Sequence, residues 1–364
     1  MESIRQQAWQ SSQLFENALP TVQQAQRCRR VLVCLNGSIQ KGSGVRIAKA
    51  MSDYGWQVEM LPRVLEPKSL QEDCRMLLEC CRQGMPELLL FEASHMIAHD
   101  ADTYLAMKKE VLALLPAAHF LGVLVDVDGN TENKIIEKFG AFFDKLVSYG
   151  IPPAEMASHP QFSGKIMRAW PPVFGEGIGS VSKPLESVPL FDGIFHASNW
   201  SRLLWYVALR HYDCNINWKL NVFSYHNEVY KRSPLEYYRD YIKGLEEATC
   251  CLSLSALSAD SPVTDRGVEP EGIMTGRAME TVLSGSLLIQ EYSPNTRRFL
   301  LPGEHYLEFH TFAELRAILK FIVEHKEEAE AVRQRGFAFA QARYGPDKLV
   351  GYIDKFVFYS DDAS

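Results

Sequence analysis

RVLVCLNGSIQKGSGVRIAKAMSDYGWQVEML, Arg30 to Leu61, begins with a short β-branched run that ends in glycine and enters a glycine-containing loop. Apolar residues at helical spacing follow, then a second β-branched run. That order is a β-loop-α-β unit, and two strands joined through a helix lie parallel, because only a crossover of this length brings the chain back in the same direction. The alternation continues through LQEDCRMLLECCRQG (helix), PELLLFEAS (strand), DTYLAMKKEVLALL (helix), HFLGVLVDVDG (strand), ENKIIEKFGAFF (helix) and DKLVSYG (strand). It predicts a doubly wound parallel sheet. Upstream, residues 1 to 29 are Gln-rich and broken by Pro20, and read as helical decoration before the first strand.

Prolines from Pro152 to Pro189 interrupt the rhythm, so this stretch reads as a connection, with a boundary near residue 187. The alternation then restarts. FDGIFHASN, WKLNVFS and TCCLSLSA read as strands, and SRLLWYVALRHY and SPLEYYRDYIKGLEEA as helices. A long polar loop, LSADSPVTDRGVEPEG, leads to a helix from about Gly276 to Ser284, the strands SLLIQE and HYLEF, and the helix TFAELRAILKFIVEH. The last segment, DKLVGYIDKFVFY, is amphipathic and suited to packing across the first domain. The expectation is an N-terminal domain of residues 1–186 completed by a helix at about 346–360, and a C-terminal domain of residues 187–345.

A chain of 364 residues is the size of two domains, and its hydrophobic (46%) and charged (23%) fractions are those of a globular protein. A net charge of -7 argues against binding nucleic acid through phosphate neutralisation. MESIRQQAWQSS holds no apolar signal core, and ELLLF and FLGVLV are too short to span a bilayer, so no transmembrane segment and a cytoplasmic location are expected. The eight cysteines include the adjacent pairs Cys80–Cys81 and Cys250–Cys251 but no Cys-x-x-Cys, which points to buried thiols rather than metal or disulfides.

Open parallel sheets bind ligands at the carboxyl ends of their strands, where loops and helix starts supply N–H donors. The loop Gly37-Ser38-Ile39-Gln40-Lys41-Gly42-Ser43-Gly44 occupies such a place, either as a phosphate or acceptor contact or as a plain tight turn. In the second half, Met274-Thr275-Gly276-Arg277 precedes a helix that presents Glu280 one turn on. N–H groups for a diphosphate, a cation and a carboxylate for ribose hydroxyls are together there; the alternative is a capped surface helix with an exposed glutamate.

TGRAMETVLSGSLLIQEYSPNTRRFLLPGEHYLEFHTFAELRAIL combines a small-residue-Arg-x-x-Glu helix start, a small-Gly-small turn into an apolar strand, then PG, an apolar-aromatic strand and an E-L helix. From about Tyr237 to Tyr344 this resembles the C-terminal domain of GT-B glycosyltransferases of the spore-maturation CgeB type. The resemblance implies two Rossmann-like domains facing across a cleft, with a C-terminal helix crossing back to the N-terminal domain. It implies transfer of a sugar from a nucleotide-diphosphate donor, a UDP- or GDP-sugar, to an unidentified acceptor, with no further cofactor. It makes Glu280 the ribose-binding residue, Thr275 to Arg277 the diphosphate-facing helix start and Arg202 a phosphate-neutralising arginine. Asp126, near the acceptor, becomes the general base.

Asp126 and Asp128 also spell the D-x-D metal-diphosphate motif of the GT-A fold, or cap a turn; no metal is expected at a site of the GT-B type. His95, His99 and Asp100 line the cleft or form a local turn network, and His196 reads as either a cleft residue or an interior histidine. Glu304 and His305, in the PG turn, are expected to be exposed, and HKEEAEAVRQR to be a solvated helix face. Other readings are an inactive nucleotide-binding scaffold and a nucleotide-sugar epimerase.

Overall fold

A computed structural model of the protein describes residues 28–34, 43–61, 70–93, 96, 99–124, 129–148, 164–170, 172–173, 190–192, 218–220, 242–246, 248, 250–254, 276–293 and 296–359. The chain divides into two compact units. Of the described residues, one unit holds those from 28 to 172 and from 346 to 359, and the other those from 173 to 345.

The first unit is built on six parallel strands: β1 (Arg30–Cys34), β2 (Gln57–Met60), β3 (Leu88–Glu92), β4 (His119–Leu124), β5 (Lys145–Ser148) and β6 (Ile166–Arg168), in the order β2-β1-β3-β4-β5-β6. The helices α1 (Ser43–Asp53), α2 (Leu70–Gly84), α3 (Ala101–Leu114) and α4 (Gly129–Phe139) alternate with the first five strands. All five residues of β3 are buried, which is why LLLFE carries no polar alternation: a central parallel strand is covered on both faces. Phe91, Phe120, Phe142 and Tyr104 form the centre of this core, with Phe91 and Phe142 edge to face at 5.0 Å. Strand β6 lies within the proline-rich stretch that the sequence offers only as a connection, and the division between units falls at Pro172 rather than near residue 187. Three residues are too few for a periodic signal; β6 is specified by pairing of Ile166 and Met167 with Leu146 and Val147.

In the second unit, β9 (Cys250–Ser253), β10 (Leu287–Glu291) and β11 (Leu307–Phe309) form a parallel sheet in the order β11-β10-β9. Strands β7 (Leu190–Asp192) and β8 (Trp218–Leu220) are also parallel, and β7 packs beside β9. Helices α5 (Gly276–Leu283), α6 (Phe312–Glu324) and α7 (Lys326–Tyr344) belong to this unit. Cys250, Leu252, Leu287, Ile289 and Phe309 pack with Leu315, Leu319 and Ile322 of α6 on one face of the sheet. A capping box starts α6: Glu314 N–H donates to Thr311 Oγ1, and Thr311 N–H to the Glu314 carboxylate, both at 3.2 Å.

The last helix, α8 (Pro346–Phe358), belongs to the first unit. Its partners sit at the amino ends of the strands. Arg29, just before β1, donates to Asp354 and lies 3.8 Å from the Phe358 ring centroid. His119 at the start of β4 and Trp56 before β2 meet the same ring, edge on. Lys145 at the start of β5 lies over Phe356. Helix α8 therefore closes the amino edge of the sheet, the edge opposite the strands' carboxyl ends.

Candidate functional site

Helix α5 connects two parallel strands, so it begins at the carboxyl edge of β9 and runs back along the sheet. It packs against β9 and β10 on one side and α7 on the other. Residues Ala278 through Leu283 are all buried as a result. Gly276 and Arg277 at the helix start are half-buried, while Glu280, one turn on, is only 6% exposed. The alternative of a surface helix with an exposed glutamate is thereby set aside, since α7 covers the face that an isolated helix would show to water.

The same edge gathers polar groups that the sequence does not single out. Ser253 ends β9, Gln290 and Glu291 end β10, and Ser293 and Thr296 follow; all five are buried. The register pairs Gln290 with Ser253 on one side and Glu308 on the other, placing three polar side chains abreast on one sheet face. The sequence signal was the pair Gln290-Glu291 closing an otherwise apolar strand. Glu308 is satisfied locally. Arg297 Nε lies 3.1 Å from both of its carboxylate oxygens, and Tyr306 donates its hydroxyl at 2.7 Å. Burial disfavours the Arg297 charge, but the bond to Glu308 outweighs this and holds its pKa above the ordinary value. Tyr292, beside that guanidinium, stacks on His310 at 4.6 Å between ring centroids.

Two expectations for this unit are corrected. His305 is buried: Phe339 of α7 stacks on it at 3.9 Å, and its Nδ1 accepts from the Leu301 N–H at 3.1 Å. Helix α7 approaches so closely that a Cβ on Gly336 would lie 2.2 Å from the His305 carbonyl oxygen. Burial, with Arg335 adding to it, pushes the His305 imidazole down to about 4. Glu304, in contrast, does reach the surface and pairs with Arg335 at 3.1 Å. The HKEEAEAVRQR run is not uniformly solvated either, because Arg333 turns inward and is 2% exposed.

In the first unit, Gly44 is buried inside α1 rather than in the loop before it, since the helix starts at Ser43. Of the histidine–aspartate group after β3, Asp100 caps α3 by accepting from the Thr103 N–H and hydroxyl at 3.0 and 2.6 Å. His99 Nδ1 lies 3.2 Å from the Tyr104 hydroxyl. These two form a local turn network. Burial pushes the Cys34 thiol up, so it is a core residue without thiolate character. Gly37, Ser38, Gly42, His95, Asp126, Asp128, His196, Arg202 and Thr275 lie outside the described residues. Among the described residues no three His, Cys, Asp or Glu side chains form a group that could hold a metal ion, and no helix is long and apolar enough to cross a membrane.

In fold, this parallel α/β chain in two units matches solved glycosyltransferases of the GT-B type. Residues 194–353 match a family described as glycosyl transferase-like. The Anabaena protein HepE, crystallised with UDP and glucose, is 10% identical, with 88% of this chain and 98% of that one covered at a TM-score of 0.57. A glycosyltransferase from Rickettsia africae (10% identity, 90% and 98% covered, TM-score 0.55) is also similar in fold. So is a sucrose-phosphate synthase from Thermosynechococcus elongatus, at 11% identity with 90% and 98% covered and a TM-score of 0.51. No curated protein sequence matches the chain.

Proposed function

We propose that the protein transfers a sugar from a nucleoside diphosphate sugar to an acceptor hydroxyl or side chain, and that the donor binds in the unit containing α5. The observation that carries this reading is Glu280, a carboxylate buried one turn into a helix that starts at the carboxyl edge of a parallel sheet. Helix-start N–H groups and the positive dipole end suit a diphosphate, and Arg277 adds a cation. A carboxylate one turn further accepts hydrogen bonds from the ribose hydroxyls. The UDP and glucose bound by the Anabaena protein of similar fold favour a UDP-sugar, with a GDP-sugar as the other choice.

In the proposed reaction the bond from the anomeric carbon to the diphosphate oxygen breaks and the acceptor oxygen bonds to that carbon. The acceptor's proton passes to Asp126, two positions beyond the last residue of β4. Arg202, Arg277 and the α5 N–H groups meet the charge of the departing diphosphate, so the scheme calls for no metal. Asp128, His95 and His196 are candidates for lining the ligand, and the loop of Gly37, Ser38 and Gly42 for a phosphate or acceptor contact, whereas Gly44 is buried in α1.

Calorimetric titration with UDP, GDP and TDP, and with their sugars, tests this reading on wild type, Glu280→Ala and Glu280→Gln. Hydrogen bonds to a charged group contribute roughly 1.5–3 kcal/mol, so the losses expected are about tenfold to a hundredfold in affinity. A chain that binds none of these nucleotides overturns the donor assignment. One that binds a donor and leaves it intact with every acceptor is a scaffold, and one that changes the sugar without an acceptor is an epimerase.

A further inference from the structure

The end of α5 remote from Gly276 is fixed with unusual care. Gly285 adopts a φ of 75°, its N–H donates to the Val282 carbonyl at 3.0 Å, and the Ser286 N–H donates to the Thr281 carbonyl at 3.1 Å. This is a Schellman cap, in which glycine supplies the left-handed residue. The Ser284 N–H donates to the carbonyl of Glu280 at 3.1 Å. The capped turn thus includes the backbone of the residue assigned to the ribose.

Two groups from outside grip the turn. The Ser286 hydroxyl sits between the carbonyls of Leu245 and Ala248, ahead of β9, which share its one proton. From α7, Arg333 Nη1 donates to the Gly285 carbonyl at 3.0 Å. The rest of its guanidinium is forked onto Glu330, with Nε to Oε2 at 2.7 Å and Nη2 to Oε1 at 2.6 Å. Burying a guanidinium costs desolvation that an apolar side chain of similar volume avoids. What the apolar residue lacks is direction: a planar fork held at two points by Glu330 fixes where the third N–H points, and hence where Gly285 and the end of α5 sit.

We propose that Arg333 is a positioning residue, setting the placement of α5 so that the Glu280 carboxylate meets the donor's ribose. This rests on the donor-site reading given above. Lysine at this position keeps the charge but not the fork, so it cannot hold Glu330 twice and Gly285 at once.

A double-mutant cycle on UDP affinity, measured by calorimetry on the full chain with Arg333→Lys, Glu280→Gln and the double variant, tests it. The expected result is a roughly tenfold loss for Arg333→Lys alone and less than about twofold in the Glu280→Gln background, because only a residue acting through Glu280 loses its effect when Glu280 is gone. Equal losses in the two backgrounds, or no loss in a folded Arg333→Lys protein, overturn the proposal and leave the donor site standing. Arg333→Met, of similar length and uncharged, takes the same place in the cycle if the lysine variant does not fold. Failure of the wild type to bind UDP or any other nucleoside diphosphate overturns the donor reading itself, and the positioning role with it.

Discussion

Arg29 Nε donates to Asp354 Oδ1 at 2.9 Å, joining two residues 325 positions apart, both almost wholly buried. The same guanidinium reaches Glu87 at 3.1 Å and the Tyr359 hydroxyl at 3.2 Å. Burial disfavours its charge, yet the hydrogen bonds to Asp354 and Glu87 outweigh that and hold its pKa above the usual value. Arg29, the residue before β1, thus fastens α8 to the start of the first described strand.

Removing one partner from this pair leaves a buried charge uncompensated, at a cost of about 3–5 kcal/mol. Asp354→Ala and Arg29→Ala are each expected to lower the denaturant midpoint strongly. The double variant should lose much less than the sum, since neither charge is then left alone. Additive losses in urea unfolding would show that the pair contributes no coupling.

His305 gives the protein a pH dependence with a defined sign. Its folded pKa is about 4, against an ordinary value of 6.5, so the unfolded chain binds the proton first as pH falls. The stability it contributes is complete above about pH 6.5, is lost progressively between there and pH 4, and changes no further below. The loss expected is on the order of 2–3 kcal/mol. In His305→Asn, which keeps an acceptor for the Leu301 N–H, unfolding midpoints measured across this range should lose that slope; an unchanged slope would move the effect to another group.

Gly336→Ala puts a methyl group where the His305 carbonyl oxygen lies 2.2 Å away. Neither the carbonyl nor the α7 backbone is a flexible side-chain end, so helix and turn must separate. Overpacking of this kind costs roughly 1–3 kcal/mol. The variant is expected to lower the melting temperature and, on the positioning role proposed for Arg333 of the same helix, to weaken UDP binding as well.

Much of the architecture could be read from local pattern. The strand RVLVC, the helix from Leu70 to Gly84 and the helix from Gly276 to Leu283 appear where apolar spacing and glycine punctuation place them. Period and turn chemistry are properties of neighbouring residues, so the sequence alone determined that the chain is a parallel α/β protein with a helix start at Gly276. Three-residue β6 escaped because it has no period to detect and exists through pairing with β5.

Burial was decided elsewhere. Nothing in PGEH or HKEEAEAVRQR tells that His305 and Arg333 face inward, because each is covered by a segment distant in sequence: Phe339 over His305, and the α5 turn over Arg333. Glu280 likewise is buried only because α5 lies against β9, β10 and α7, which other segments of the chain form. Local sequence sets which elements form and in what order. Only the tertiary structure sets which polar groups lose water, since that depends on what the rest of the chain lays against them.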